Sequence, residues 1–186
     1  MGKIIVIDGI DGTGKTTLAK ALEAEIDLLT LGEVRIVHAT YKPEWNMQEY
    51  HQNIVDQAKY VDFLIVDRLC ASEYAYGEVY RDGASYNIFA FLLKMYMNHE
   101  VTWIYANHGD AVENFAKLKE TRVEMYPDTQ KMFKVQEKYN DFFRLYAVQF
   151  GMQIFDMTTW PEFDGQGNSP LETYASVIVE KINGTV

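Results

Sequence analysis

The sequence predicts an α/β fold, a five-stranded parallel sheet covered by helices on both faces. Three observations carry that prediction. Residues 9–16 read Gly9-Ile10-Asp11-Gly12-Thr13-Gly14-Lys15-Thr16, a complete G-x-x-x-x-G-K-[ST] phosphate-binding loop. A short apolar run, Lys3-Ile4-Ile5-Val6-Ile7, precedes it, and the helical pattern Thr16-Thr17-Leu18-Ala19-Lys20-Ala21-Leu22 follows it. Beyond the loop, strand-like and helix-like segments alternate to the end of the chain, as in a parallel sheet whose crossovers are helices.

The elements follow in order. The first strand is expected at about 3–8 and the first helix at about 15–28. Glu33 to His38 reads as the second strand. Gln48 to Tyr60 has Tyr50, Ile54, Val55 and Ala58 at helical spacing. Phe63-Leu64-Ile65-Val66 is apolar throughout, as a central parallel strand should be. Ser72 to Gly77 reads as a short polar run between that strand and the next helix. Ser85 to Met97 predicts an apolar helix, with the stripe 89–93 as core. Glu100 to Tyr105 is the fourth strand. Asp110 to Leu118 and Thr129 to Phe150 read as helices around a polar break, with Tyr139, Phe142, Phe143 and Tyr146 as core. Gln153 to Phe155 is the fifth strand, and 158–169 a loop. Pro170 suits the first turn of a closing helix running to about Ile182. The expectation is one domain over 1–186, a P-loop NTPase of three layers, α/β/α, with a short lid at about 117–130.

Composition narrows the function. The 186 residues carry a net charge of −10, which argues against a broad nucleic-acid surface. An acidic protein still binds nucleotides where its few cations converge. The single cysteine, Cys70, excludes an internal disulfide and fits a reducing cytoplasm. No run approaches the ~20 apolar residues that span a bilayer, and no signal peptide is expected ahead of the first strand. The expected partners are small molecules, with neither nucleic acid nor membrane. His38, His51, His99 and His108 lack metal-ligand spacing.

Phosphate crowds negative charge, and backbone N–H groups surround it closely only where side chains are absent. Glycines at both ends of the loop let the chain wrap the β-phosphate, and the following helix turns its N-terminus toward it. Lys15 supplies a mobile positive charge, and the Thr16 hydroxyl can complete a Mg²⁺ shell. Asp67-Arg68 follows the third strand directly, and ligands in open α/β sheets bind beyond the carboxyl ends of the strands. A carboxylate there can hold Mg²⁺ or its water; a guanidinium can grip a second phosphate in a fork.

These motifs resemble the thymidylate kinase family. The Gly9–Thr17 loop with Asp8 and Asp11 is similar to that family's loop, which has an acidic residue ending the first strand and Asp-Gly inside. Asp67-Arg68-x-x-x-Ser72-x-x-Ala75-Tyr76 resembles the family's Asp-Arg-Tyr-x-x-Ser-x-x-Ala-Tyr without a gap. The short length and the wording Ser72 to Gly77 resemble phage- or virus-encoded members, which would act in the host cytoplasm. The resemblance implies transfer of the ATP γ-phosphoryl to a deoxynucleoside monophosphate, most of all dTMP, with Mg²⁺. It implies that Gly9, Asp11, Gly12, Thr13, Gly14, Lys15, Thr16 and Thr17 hold ATP, and that Thr16 and Asp67 hold the metal. Asp8, Asp11, Lys42, Tyr50, Arg68, Ser72 and Tyr76 would serve the acceptor: Asp11 at the 3′-hydroxyl, Arg68 at the 5′-phosphate and Tyr76 against the deoxyribose. Members with a glycine at position 12 bring a lid arginine, so Arg122 would join Lys15 and Arg68 in catalysis. Relatives commonly pair as homodimers through helices, a role open to 85–97.

The departures matter. The family's Arg-Glu-Pro-Gly stretch is replaced by His38-Ala39-Thr40-Tyr41-Lys42-Pro43, where Lys42 is a point charge and not a fork. The stretch Trp45–Gln57, where the family reads thymine with Phe and Arg, contains no arginine. Tyr50 could stack there, and Gln48, Gln52 or Asn53 could bond a base. Three other readings stay open: a deoxynucleoside monophosphate kinase of other base specificity, a deoxynucleoside kinase with Asp8 as base, and a P-loop regulatory ATPase.

Overall fold

A computed structural model describes residues 2–107, 112, 115–116, 128–157 and 170–184. Five parallel strands form one sheet: β1 (Lys3–Asp8), β2 (Val34–His38), β3 (Phe63–Asp67), β4 (Val101–Tyr105) and β5 (Gln153–Asp156). Their order across the sheet is β2-β3-β1-β4-β5. The apolar runs sort as strand geometry dictates, with successive side chains on opposite faces. Ile4 and Val6 enter one core and Ile5 and Ile7 the other. The β3 and β4 strands are buried along their whole length, which is why their sequences do not alternate.

Helices cover both faces. Helix α1 (Lys15–Leu28) packs with α6 (Pro170–Asn183), and Leu18, Leu22 and Ile26 meet Ile178 and Ile182 beneath them. On the other face lie α2 (Met47–Val55), α3 (Cys70–Tyr80), α4 (Ile88–Asn98) and α5 (Thr129–Phe150). Trp103 of β4 packs there on Phe142 and Phe143 of α5, with ring centroids 5.6 and 5.8 Å apart. None of the described helices is long and apolar enough to cross a membrane.

The boundaries expected for β1, α1 and α5 are those observed. Others differ for local reasons. The second helix ends at Val55 and tightens into a 3₁₀ turn, Asp56–Lys59. Helix α4 starts at Ile88, because Asn87 caps it by accepting the Ala90 N–H at 3.0 Å. Its stripe is split: Phe91 and Leu92 are core, whereas Phe89 and Leu93 are about half exposed. The segment 72–77, expected as a polar connection, is the centre of α3, an 11-residue helix packed along α5. The lid (about 117–130) lies outside the described residues through 127, as do Arg122, the loop 158–169 and most of the helix expected at 110–118.

The register positions the chemistry. Ile7 pairs with Asp67 on one side of β1, and Asp8 pairs with Tyr105 on the other. The carboxyl ends of β1 and β3 therefore bring Asp8, Asp67 and the phosphate loop to one edge. The chain leaves β1 toward β2 and leaves β3 toward β4, in opposite directions, so the crevice between them is the topological switch point.

Candidate active site

The phosphate loop connects β1 to α1 along the path its glycines permit. Gly9 has φ 154°, and a Cβ there would lie 2.4 Å from the Ala106 carbonyl oxygen. Gly14, with φ 77°, turns the chain into α1 as its N-cap. Replacing Gly9 with alanine should destabilise the fold by about 1–3 kcal/mol, since the obstructing atom is backbone and cannot step aside. Chemical denaturation would read this, and an unchanged midpoint would refute it. Inside the loop, Thr13 Oγ1 donates to the Ile10 carbonyl at 3.0 Å. Lys15 Nζ donates to the same carbonyl at 2.5 Å. Burial, and then the charge of Arg68, lowers the Lys15 pKa to about 8. Thr17 is exposed on the first turn of α1.

Thr16 and Asp67 stand side by side, the threonine hydroxyl donating to Asp67 Oδ2 at 2.8 Å. His38 Nδ1 lies 3.0 Å from the same oxygen. Burial works to raise the Asp67 carboxyl. Hydrogen bonds from His38 and Thr16, with the charges of Lys15 and Arg68, outweigh it and hold the group below the usual carboxylate range. Asp67 Oδ1 is buried and makes no hydrogen bond among the described residues. An ionised carboxylate with one spare oxygen beside a hydroxyl fits Mg²⁺, a hard cation that takes few protein oxygens and fills its shell with water and phosphate. The described residues contain no cluster of three ligating side chains of the kind a protein-only metal site needs.

Arg68 emerges one residue past β3 with φ 77°, in the left-handed region that side chains disfavour. Its N–H donates to the Ile7 carbonyl at 2.9 Å, which pins the turn. Its guanidinium pairs with Asp11 and lies 5.5 Å from the centre of the Tyr76 ring. The Tyr76 hydroxyl donates to Asp11 Oδ2 at 3.1 Å. Arg68, Asp11, Ser72 and Tyr76 thus converge on one cavity of about 200 Å³.

Asp8 is fully buried and turned away from that cavity. It accepts from the Ser72 hydroxyl and from the Leu69 N–H, the latter at 3.2 Å. Ser72 Oγ also lies 2.6 Å from the Tyr139 hydroxyl, which donates to the Gly9 carbonyl at 3.2 Å. Helix α5, the phosphate loop and α3 are tied together by this chain of polar groups. Burial pushes the Asp8 pKa up to about 6, against the Ser72 hydrogen bond and the charges of Arg68 and Lys15. Between pH 3.8 and about 6 the folded state therefore keeps a proton that the unfolded chain has released. Stability owed to this group falls as pH rises through that window, by up to ~3 kcal/mol. Asp56 and Asp67, with lowered values, pull the other way. The wild type is therefore expected to lose stability relative to Asp8→Asn between pH 4 and 6.5 in urea melts; parallel curves would refute the shift.

Besides Asp8, two further expected acceptor residues, Lys42 and Tyr50, do not line the cavity. Lys42 stands 4.2 Å from the centre of the Trp45 ring, away from the cavity wall. Tyr50 packs edge-on against the same ring at 4.8 Å, and its hydroxyl accepts from the Thr40 N–H at 3.4 Å. Their place is taken by residues that sequence reading passed over: Tyr41, Met47, His51 and Arg81. Recognising α3 as a helix would have placed Arg81 at its end. Glu73, on the same helix, faces Arg81 at 3.0 Å.

No family model matches the sequence. A probable thymidylate kinase of Thermoplasma acidophilum is 29% identical over 152 residues, a match spanning 72% of this chain and 66% of that protein. Among solved structures, the YorR protein of Bacillus subtilis, in complex with phosphorylated GDP, superposes with a TM-score of 0.66. Its identity is 16%, over 97% of this chain and 96% of that one. Thymidylate kinase from Ehrlichia chaffeensis superposes at 0.61 with 13% identity, covering 98% of each chain. At these identities the solved structures bear on the fold alone. The sequence relative is thus a probable thymidylate kinase, matched over less than two thirds of its length, and the solved structures share this chain's fold.

Proposed function

We propose that the chain is a nucleoside monophosphate kinase of the cytoplasm, transferring the ATP γ-phosphoryl to the 5′-phosphate of a deoxynucleoside monophosphate. The acceptor implied by the resemblance and by the curated relative is dTMP. One observation carries the reading: the Arg68–Asp11–Tyr76 cluster opens onto a cavity beside the phosphate loop, so two anion sites adjoin. Two phosphates repel, and their approach in line is the main thing such an enzyme must achieve. Lys15 would leave the Ile10 carbonyl for the donor phosphates, while Arg68 holds the acceptor phosphate. Mg²⁺ held by Thr16 and Asp67 would neutralise charge on the triphosphate. The acceptor phosphate is itself a nucleophile near neutral pH, so no general base is needed. Asp8, occupied by Ser72 and Leu69 and absent from the cavity wall, suits that scheme better than deprotonation of a nucleoside hydroxyl.

The test is ADP release with ATP, Mg²⁺ and each of dTMP, dUMP, dGMP, dAMP, dCMP and thymidine. Turnover on a monophosphate and none on thymidine is expected; turnover on thymidine alone would reject the reading. Arg122, outside the described residues, is proposed as the lid arginine. Arg122→Ala should lower kcat about 10²-fold or more with a smaller change in ATP affinity; equal losses in both would remove it from the transition state. Leu93 and Met97, exposed on α4, are the proposed homodimer face. Leu93→Glu should convert a dimer to a monomer in sedimentation, and a wild type already monomeric would reject that pairing.

A further inference from the structure

The acceptor cavity has two ends. Asp11, Arg68, Ser72 and Tyr76 form the end beside the phosphate loop. Tyr41, Met47, His51, Glu73 and Arg81 form the other, where the base of a nucleotide would lie once its phosphate sits on Arg68.

Arg81 is firmly held at that far end. Its Nη2 donates to Glu73 Oε2 at 3.0 Å and to the Glu73 carbonyl at 3.3 Å. Its guanidinium carbon lies 3.9 Å from the centre of the Tyr41 ring, an attraction of cation for π face. Glu73 is buried, and its second oxygen accepts the Ser85 N–H at 2.8 Å. Both carboxylate oxygens are thus engaged. The Tyr41 side chain also hydrogen-bonds the Arg81 cation, and among the described residues the buried Nε and Nη1 groups have no partner within good hydrogen-bond geometry. A guanidinium only donates, and buried donors without acceptors are costly. His51 brings no second charge: burial, and then Arg81, holds its pKa down to about 4.

We propose that Arg81 reads the base of the acceptor nucleotide by donating to a carbonyl oxygen, so that the enzyme takes oxo bases and rejects amino bases. Thymine O4 and guanine O6 accept at the place where cytosine N4 and adenine N6 carry amino hydrogens. An amino group facing a donor-only cation leaves both sides unpaired. Glu73 is the positioning residue that aims the guanidinium. The inference rests on the monophosphate kinase reading.

The experiment compares kcat/KM for dTMP, dUMP, dGMP, dAMP and dCMP in the wild type and in Arg81→Gln, whose carboxamide both donates and accepts. The wild type should favour the best oxo acceptor over its amino counterpart, dTMP over dCMP or dGMP over dAMP, by about 10- to 100-fold. Arg81→Gln should collapse that ratio to within a few-fold, mostly through the acceptor KM. If Arg81→Gln leaves Glu73 unpaired and fails to fold, the double variant Glu73→Gln/Arg81→Gln removes both charges and must show the same collapse. A wild type that prefers dAMP or dCMP, or a ratio that survives in the folded variant, overturns the role of Arg81 and leaves the kinase reading standing. A wild type inactive on every monophosphate overturns both.

Discussion

Replacing Lys15 with alanine is expected to lower turnover by about 10²- to 10³-fold, the loss typical of removing one preorganised donor from a developing charge. Stability should survive the change. Lys15 is only 6% exposed, and its ammonium is satisfied by the Ile10 carbonyl at 2.5 Å and by Thr13 Oγ1 at 3.4 Å. Neither partner is a carboxylate, so burial of the charge is poorly compensated and the pKa falls to about 8. Alanine removes that cost, and Thr13 still donates to the Ile10 carbonyl. The melting temperature of Lys15→Ala should therefore stay within a few degrees of wild type, while ADP no longer raises it. Full turnover in the variant would sink the assignment of the loop.

The same shift makes a second outcome measurable. Phosphate binding restores the lysine's proton, because the anion favours the ammonium. Above pH 8 binding must therefore take up a proton, and ADP affinity should weaken by as much as tenfold per pH unit. Calorimetry in two buffers of different ionisation enthalpy would reveal the uptake, which Lys15→Ala should abolish.

Much of this site was legible in the chain because it lies where local rules act without tertiary help. The phosphate loop needs glycines at fixed offsets, and β1 and α1 around it carry unambiguous periods. Helix α5 was equally clear, with Asp128 accepting from the N–H groups of Gln130 and Lys131 at 2.9 and 3.1 Å. Helix α3 was not. It starts directly from the left-handed Arg68, and Leu69 at its N-cap makes no side-chain cap. Its buried residues include Cys70, Ala71, Ser72, Glu73, Ala75, Tyr76 and Gly77, because one face packs in the core and another lines the cavity. With both faces used, the apolar stripe that announces a helix disappears. Arg81 and its ion pair with Glu73 were invisible for the same reason. Lys42 was misleading in another way: its charge was readable, but whether it turned toward the cavity or onto Trp45 depended on packing.

Arg68→Ala should raise the acceptor KM and lower kcat together, reducing kcat/KM for the acceptor by about 10²-fold or more, with ATP affinity little changed. The guanidinium sits where β3 delivers it, against Asp11 and above the Tyr76 ring, and the left-handed backbone at φ 77° is the cost of that placement. Such strain persists only where surrounding contacts enforce it, here the bond from the Arg68 N–H to Ile7. Two further variants separate charge, shape and strain. Arg68→Lys keeps the charge without the fork and should recover only part of the lost activity. Arg68→Gly relieves the backbone, so it should be more stable than Arg68→Ala by about 1–2 kcal/mol while remaining as inactive. Unchanged acceptor kinetics in Arg68→Ala would remove this residue from the acceptor site. Equal stability of the alanine and glycine variants would show that the turn is unstrained, and that the chain gives up nothing to hold its arginine there.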